Sequence, residues 1–155
     1  MDPETNKPYE FINENTYNFK LQNGIDEINN TIKTILPEHC QNTIKERVGK
    51  GLHDISITRT SVEWGIPFPE NSKHVVYVWF DALLNYVTGK YLLYNSENNK
   101  MIHIIGKDIV WFHSVIYPAI LQACDYKECY PNKILVHGFI LDKDGTFKMC
   151  QIVTI

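Results

Sequence analysis

The sequence predicts an α/β fold, half of a doubly wound parallel sheet preceded by a helical segment. Three observations carry this. Three apolar, β-branched runs occur in the second half of the chain: "HVVYVWF", "MIHIIG" and "KILVHG". The first two are each followed by a helix-like segment, over residues 82–94 and 108–123. The runs are apolar throughout rather than alternating, as strands covered on both faces require.

Taken in order, the elements support this reading. "DPETNKPYE" has the Pro and Asn of a loop. In "YNFKL", Tyr17, Phe19 and Leu21 alternate with polar residues, the period of a half-buried strand. Ile25, Ile28, Ile32 and Ile35 then fall on one helical face, with Asp26 and Glu27 in the first turn. Pro37 ends that helix and can open a second, in which Ile44, Val48 and Leu52 share a face until Gly49 and Gly51 weaken it. The first fifty residues therefore predict a helical hairpin. A long connection, "HDISITRTSVEWGIPFPENSK", leads to the three apolar runs. Ile109, Phe112, Ile116 and Ile120 keep helical spacing, and Pro118 should kink that helix. In "FILDKDGTFKM" the Asp-Gly pair predicts a short hairpin, with Phe139 and Leu141 facing Phe147 and Met149 and Lys148 just past the turn.

The totals narrow the function classes. The 155 residues fit one domain, and 44% hydrophobic with 21% charged residues is ordinary for a globular chain. A formal charge of −3 gives no support for a basic nucleic-acid surface, which argues against this segment being the main RNA contact. Cys40, Cys124, Cys129 and Cys150 form no CxxC pair, so the spacing supplies no zinc ligands. The polar start is unlike a signal peptide, and "VVYVWFDALL" is interrupted by Asp81 and too short to span a bilayer. The expectation is a soluble, intracellular protein without a membrane partner.

In an open parallel sheet, ligands bind outside the carboxyl ends of the strands. Trp79 and Asp81, Lys107 and Asp108, and His137 and Gly138 follow the three runs, with Tyr86, Phe112, His113 and Tyr117 nearby. An acid among aromatics suits a ligand with an ammonium group and an apolar tail. Asp108 and Phe112, four apart, would share a helical face. Each residue has a plainer reading beside this one. Asp108 reads equally as a helix cap, the aromatics singly as core, and His113 and His137 as structural. The phosphate-cradling signatures GxGxxG and GxxxxGK[ST] do not occur.

These residues lie in stretches that resemble the methionyl-tRNA synthetases, class I aminoacyl-tRNA synthetases: "DISITRTSVEWGIPFP", "HVVYVWFDALLNYVTG", "HIIGKDIVWFHSVIYPAIL" and "LVHGF". "ENTYNFKL" and the helices after it resemble, more loosely, the segment following that family's connective insert. The resemblance implies the C-terminal half of a Rossmann-like catalytic domain over 54–155, preceded by a helical segment over 1–53. It implies that Asp108 holds the methionine ammonium while Trp79, Tyr86, Phe112, His113 and Tyr117 enclose the side chain. His137 and Gly138 would lie near ATP, and Lys148 would act in catalysis and ATP binding. The implied reaction consumes ATP with Mg, forms methionyl-adenylate and charges tRNA(Met), in the cytoplasm or an organelle.

Two features depart from the family pattern. The HIGH-type signature, which precedes the connective insert, is not among these residues. Of the KMSKS-type loop only Lys148 and Met149 match, with Gln151 and Ile152 where a lysine and a serine belong. The expectation is a fragment truncated in that loop and inactive alone. It could serve as a methionine-binding module, or as half of a split enzyme completed by a separate chain carrying the HIGH half.

Overall fold

The structure, a computed structural model, describes residues 13–93 and 100–141 and the backbone of 147 and 148. The chain enters through β1 (Asn18–Phe19), then a 3-10 turn over Leu21–Gly24 and α1 (Ile25–Ile32). Asp26 and Glu27 occupy the first turn of α1, where its dipole favours negative charge. Ile28 and Ile32 are buried beneath it.

The expected helical hairpin is interrupted. Ile35 does not continue the α1 face but forms β2 (Ile35–Leu36), and Pro37 then caps α2 (Glu38–Gly49). Two forces oppose the helical periodicity here. A residue preceding proline is driven out of the helical region, and the extended backbone buries Ile35 completely in the sheet.

The first apolar run is likewise corrected. It does not form a strand of the parallel sheet. β3 (Ile55–Ser56) pairs with β1, while β4 (Thr58–Arg59), β5 (Pro67–Phe68) and β6 (Asn71–Val76) form a separate antiparallel sheet in the order β4-β6-β5. The backbone leaves β6 at Val76, and α3 (Val78–Leu83) begins within the run. A short apolar run is ambiguous between strand and buried helix. Asp81 in the first turn of α3 favours the helix. Trp79 and Asp81 thus sit on a helix rather than at a strand end. α4 (Asn85–Leu93) follows after a break at Leu84.

The other two runs are strands as expected, β7 (Ile102–Gly106) and β8 (Lys133–His137). With β2 they make a parallel sheet in the order β2-β8-β7. In register, Ile35, Ile134 and His103 form one row, all buried, against a core that includes Ile28, Ile32, Val115, Ile120 and Leu121. The mixed α/β class is therefore present, with a parallel sheet of three strands among the described residues.

Between β7 and β8 the chain crosses through a π-helical turn over Phe112–Ile116 and then α5 (Tyr117–Ala123). The kink expected at Pro118 takes this form. Proline has no N–H to give to the carbonyl four residues back, and the preceding turn widens, Tyr117 N–H bonding to Phe112 O instead. Beyond β8, β9 (Ile140–Leu141) and β10 (Phe147–Lys148) pair antiparallel, Phe147 opposite Leu141, as the expected hairpin requires. Met149, Gln151 and Ile152 lie outside the described residues.

Candidate functional site

Two sets of expected site residues converge, each held by different elements. The first is aromatic. Trp79 on α3 stacks on Phe112 of the π turn, with ring centroids 4.3 Å apart and planes 20° from parallel. The next residue, His113, is buried, and its Nε2 accepts a hydrogen bond from the Tyr86 hydroxyl of α4 at 2.9 Å. The assignment of donor and acceptor follows from the other nitrogen. His113 Nδ1 faces the Ile109 carbonyl at 3.0 Å, so it carries the proton and leaves Nε2 as acceptor. Tyr117 is fully buried, its ring 5.6 Å from that of Tyr86, and its hydroxyl donates to Cys129 O at 3.0 Å. It forms a fixed wall behind Tyr86.

A sixth ring, absent from the sequence reading, completes this group. His103 of β7 stacks on Tyr86, centroids 4.2 Å apart and planes 26° from parallel, and lies edge-on to His113 at 5.4 Å. It is 3% exposed, and neither ring nitrogen has a hydrogen-bond partner among the described residues. Burial pushes its pKa down to about 3, with a smaller push from His113. Burial also lowers His113, against the bond to Ile109 O, and raises the phenols of Tyr86 and Tyr117. At neutral pH these four polar rings are uncharged.

The second set lies at the carboxyl edge of β7 and β8. Asp108 is exposed in the turn after β7, where Ile109 N–H bonds to Gly106 O at 3.2 Å. It precedes the helix instead of sharing its face with Phe112, because the helical bonds begin only with the N–H groups of Phe112 and His113. No N–H bonds its carboxylate among the described residues, so the cap reading has no bond behind it. A methyl group placed on Gly106 would stand 2.5 Å from Asp108 Oδ1 and 3.7 Å from His137 Cε1. The acid and His137 are thus neighbours over a glycine that leaves them room. His137 Nδ1 lies 2.6 Å from Gly138 O, and Gly138 is exposed with open space around it. Lys107 Nζ sits 4.1 Å above the Phe139 ring. The backbone of Lys148 stands opposite Ile140 in the β9–β10 pair; its side chain lies outside the described residues. Among the described residues no three His, Cys, Asp or Glu converge as metal ligands, and no helix is long and apolar enough to cross a membrane.

A rigid crossover presenting aromatic and acidic groups at the end of a parallel sheet can be compared directly with known proteins. The family described as tRNA synthetases class I (M) matches residues 4–155. The chain belongs to this family. The methionine–tRNA ligase of Bacillus subtilis (strain 168) is 38% identical over 158 residues, covering 92% of the chain and 23% of that relative. The methionine–tRNA ligase of Lactococcus lactis subsp. lactis is 42% identical over 148 residues, covering 88% and 22%. Among solved structures, Mycobacterium tuberculosis methionyl-tRNA synthetase bound by methionyl-adenylate is similar with a TM-score of 0.75 and 38% identity, covering 90% of this chain and 29% of that one. Its apo form gives 0.73 and 39%, covering 88% and 29%. The chain therefore spans about a quarter of the length of the curated class I synthetases it matches, and its parallel sheet with helices belongs to their Rossmann-like catalytic domain.

Within that synthetase framework, reading the sequence brought forward every member of the aromatic group except His103. A polar residue inside "MIHIIG" carries a signal only after the strand is seen to turn His103 and Ile105 toward the core and Ile102 and Ile104 away from it.

Proposed function

We propose that this chain carries the methionine-binding side of a methionine–tRNA ligase catalytic domain. Asp108 takes the ammonium group, and Trp79, Tyr86, Phe112, His113 and Tyr117 enclose the thioether chain. His137, Gly138 and Lys148 stand toward ATP. In the whole enzyme the methionine carboxylate attacks the α-phosphate of Mg-ATP, giving methionyl-adenylate and pyrophosphate, and the methionyl group then passes to the 3′-terminal adenosine of tRNA(Met). Mg enters with the nucleotide phosphates as part of the co-substrate, and the setting is the cytoplasm or an organelle.

The observation that carries this reading is an uncharged polar-aromatic group on the crossover that follows an exposed carboxylate with no bond among the described residues, in a chain 38% identical to a synthetase solved with methionyl-adenylate. The chemistry fits methionine. A thioether gains about 0.3–1.5 kcal/mol at an aromatic ring edge, which the leucine side chain forgoes. Neutral rings also let an apolar chain enter without desolvating a buried cation.

The remaining strands and the HIGH-type signature belong to a further part of the protein or to a second chain. This chain by itself catalyses no methionine-dependent ATP–pyrophosphate exchange, and exchange appears when a polypeptide bearing the HIGH half is added. Robust exchange by the isolated chain overturns that statement. Equilibrium dialysis with tritiated methionine tests the site itself: the wild type binds and Asp108→Ala does not. Equal binding by both, or by neither, removes the proposed role of Asp108.

A further inference from the structure

His103 is a buried polar residue for which packing alone gives no account. An imidazole with both nitrogens unsatisfied is costly in a folded interior, and such a group calls for an explanation beyond stability. A leucine would fill the same space without that cost, but it would offer Tyr86 no flat face. Its surroundings indicate what it does. The ring lies nearly parallel to Tyr86 at 4.2 Å, edge-on to His113 at 5.4 Å, and 5.5 Å from Tyr117. It therefore touches both partners of the Tyr86–His113 hydrogen bond from behind, on a strand whose neighbours in register, Ile134 and Ile35, are fully buried.

Tyr86 has no comparable restraint along its own helix. α4 is short, begins after the break at Leu84, and is exposed over Tyr91–Leu93. The rings that flank the Tyr86 phenol are His103, face to face at 4.2 Å, and Tyr117, edge-on at 5.6 Å. We infer that His103 is a positioning residue of the methionine pocket, a planar support that sets the Tyr86 ring so that its hydroxyl meets His113 Nε2. This rests on the reading that Tyr86 and His113 line that pocket. His103 itself need not touch the ligand. Without a plane under it, the phenol tilts, the hydroxyl leaves Nε2, and the pocket presents methionine with a mobile wall.

The test compares His103→Phe, which keeps a planar ring, with His103→Leu and His103→Met, which keep volume without a plane. Two readouts are taken on the full 155-residue chain. The first is the long-range proton–nitrogen NMR spectrum of the imidazoles, in which His113 shows a protonated Nδ1 and a hydrogen-bonded Nε2. The second is the ratio of methionine to leucine binding by equilibrium dialysis. The Phe variant is expected to preserve the His113 signature and hold methionine binding within about twofold. The Leu and Met variants move the Nε2 resonance to that of an unbonded acceptor and weaken methionine by about three- to tenfold, the range of one hydrogen bond.

An unchanged Nε2 resonance in a folded Leu or Met variant overturns the positioning role. So does failure of both to fold while the Phe variant folds, since His103 then acts only as packing. If the wild type binds no methionine but the resonance moves as described, the positioning of Tyr86 stands and the assignment of the pocket falls.

Discussion

Tyr86→Phe removes a single oxygen from the candidate site and leaves its rings in place. The phenyl group still stacks on His103 at 4.2 Å and still meets Tyr117 edge-on at 5.6 Å. What disappears is the 2.9 Å bond to His113 Nε2. His113 cannot compensate by exchanging tautomers, because Nδ1–H is committed to the Ile109 carbonyl at 3.0 Å. It cannot turn to solvent either, being 2% exposed. A buried acceptor is therefore left without a donor, which costs about 1–3 kcal/mol against roughly 1 kcal/mol for an exposed bond. For a chain of this length that corresponds to a fall in melting temperature of about 2–12 °C.

Urea unfolding followed by tryptophan fluorescence measures the loss at unchanged slope. A double-mutant cycle with His113→Phe isolates the pair, with an expected coupling of about 1–2 kcal/mol, since contacting residues couple by amounts of this order. If Tyr86→Phe alters stability by less than about 0.5 kcal/mol, or the coupling is zero, the hydrogen bond does not restrain the site and the order inferred for the aromatic group is wrong.

Three further outcomes follow from other parts of the molecule. Gly24→Ala places a methyl group 2.6 Å from Ala119 Cβ and 2.7 Å from its Cα, so α1 and α5 must separate. Overpacking of about 1–3 kcal/mol is expected in place of the usual small gain from Gly to Ala, and an unchanged urea midpoint refutes the close approach. Gly106→Ala meets only the carboxylate oxygen of an exposed side chain, which can rotate away. Because the atom it meets is the mobile end of that exposed side chain, it should leave stability in urea within about 0.5 kcal/mol, yet reduce methionine binding in dialysis; undiminished binding counts against Asp108 as the ammonium partner. Acid lability follows from His103, whose pKa lies at about 3 in the fold against an ordinary 6.5. Above about 6.5 neither folded nor unfolded chain is protonated there. As pH falls below it, only the unfolded chain takes up the proton, and stability is lost by about 1.4 kcal/mol per unit. His113, lowered in the same direction, adds to the loss. Urea midpoints at pH 7.5, 5.5 and 4.5 should decline steeply in the wild type and less in His103→Phe, and parallel profiles refute the assignment to His103.

The parts of the fold legible in the sequence are those in which local pattern and tertiary demand agree. β7 and β8 are apolar strands as read, although among the described residues only the face of β7 carrying His103 and Ile105 is covered while Ile102 and Ile104 stand exposed, and α1 carries acids in its first turn and isoleucines on its buried face. The parts that were not legible are places where two local signals compete. Ile35 has helical spacing but its neighbour Leu36 precedes a proline, and burial of Ile35 in the sheet decides for a strand. Val78, Trp79 and Phe80 have strand-like composition, yet Tyr77 is the extended residue from which α3 starts. That second error matters for the site. Placed on a strand, Trp79 would project from one face of the sheet, whereas on α3 it lies flat against Phe112. The candidate residues were nonetheless identifiable, because an acid and several aromatics clustered after the strands whatever the class of the first run. His103 was hidden for the opposite reason, as one polar residue within a run that otherwise reads as core.

The π turn explains how neighbouring positions can serve such different tasks. Phe112 must reach forward to Trp79, His113 must turn inward to Tyr86 and Ile109 O, and Tyr117 must stay locked behind them on Cys129 O. In a regular α-helix Tyr117 N–H would bond to His113 O, and Pro118, lacking an N–H, would leave Ser114 O without its donor. The wider turn bonds Tyr117 N–H to Phe112 O, while the Ser114 hydroxyl donates back to Val110 O at 2.7 Å. The proline that ends regular helix therefore stands next to the widened turn from which Phe112 meets Trp79 while His113 and Tyr117 face Tyr86. Single-turn π insertions recur at functional sites because they re-aim side chains without unravelling the helix. Here the re-aimed residues are those that the methionine reading requires, which ties the π turn of this crossover to the work proposed for it.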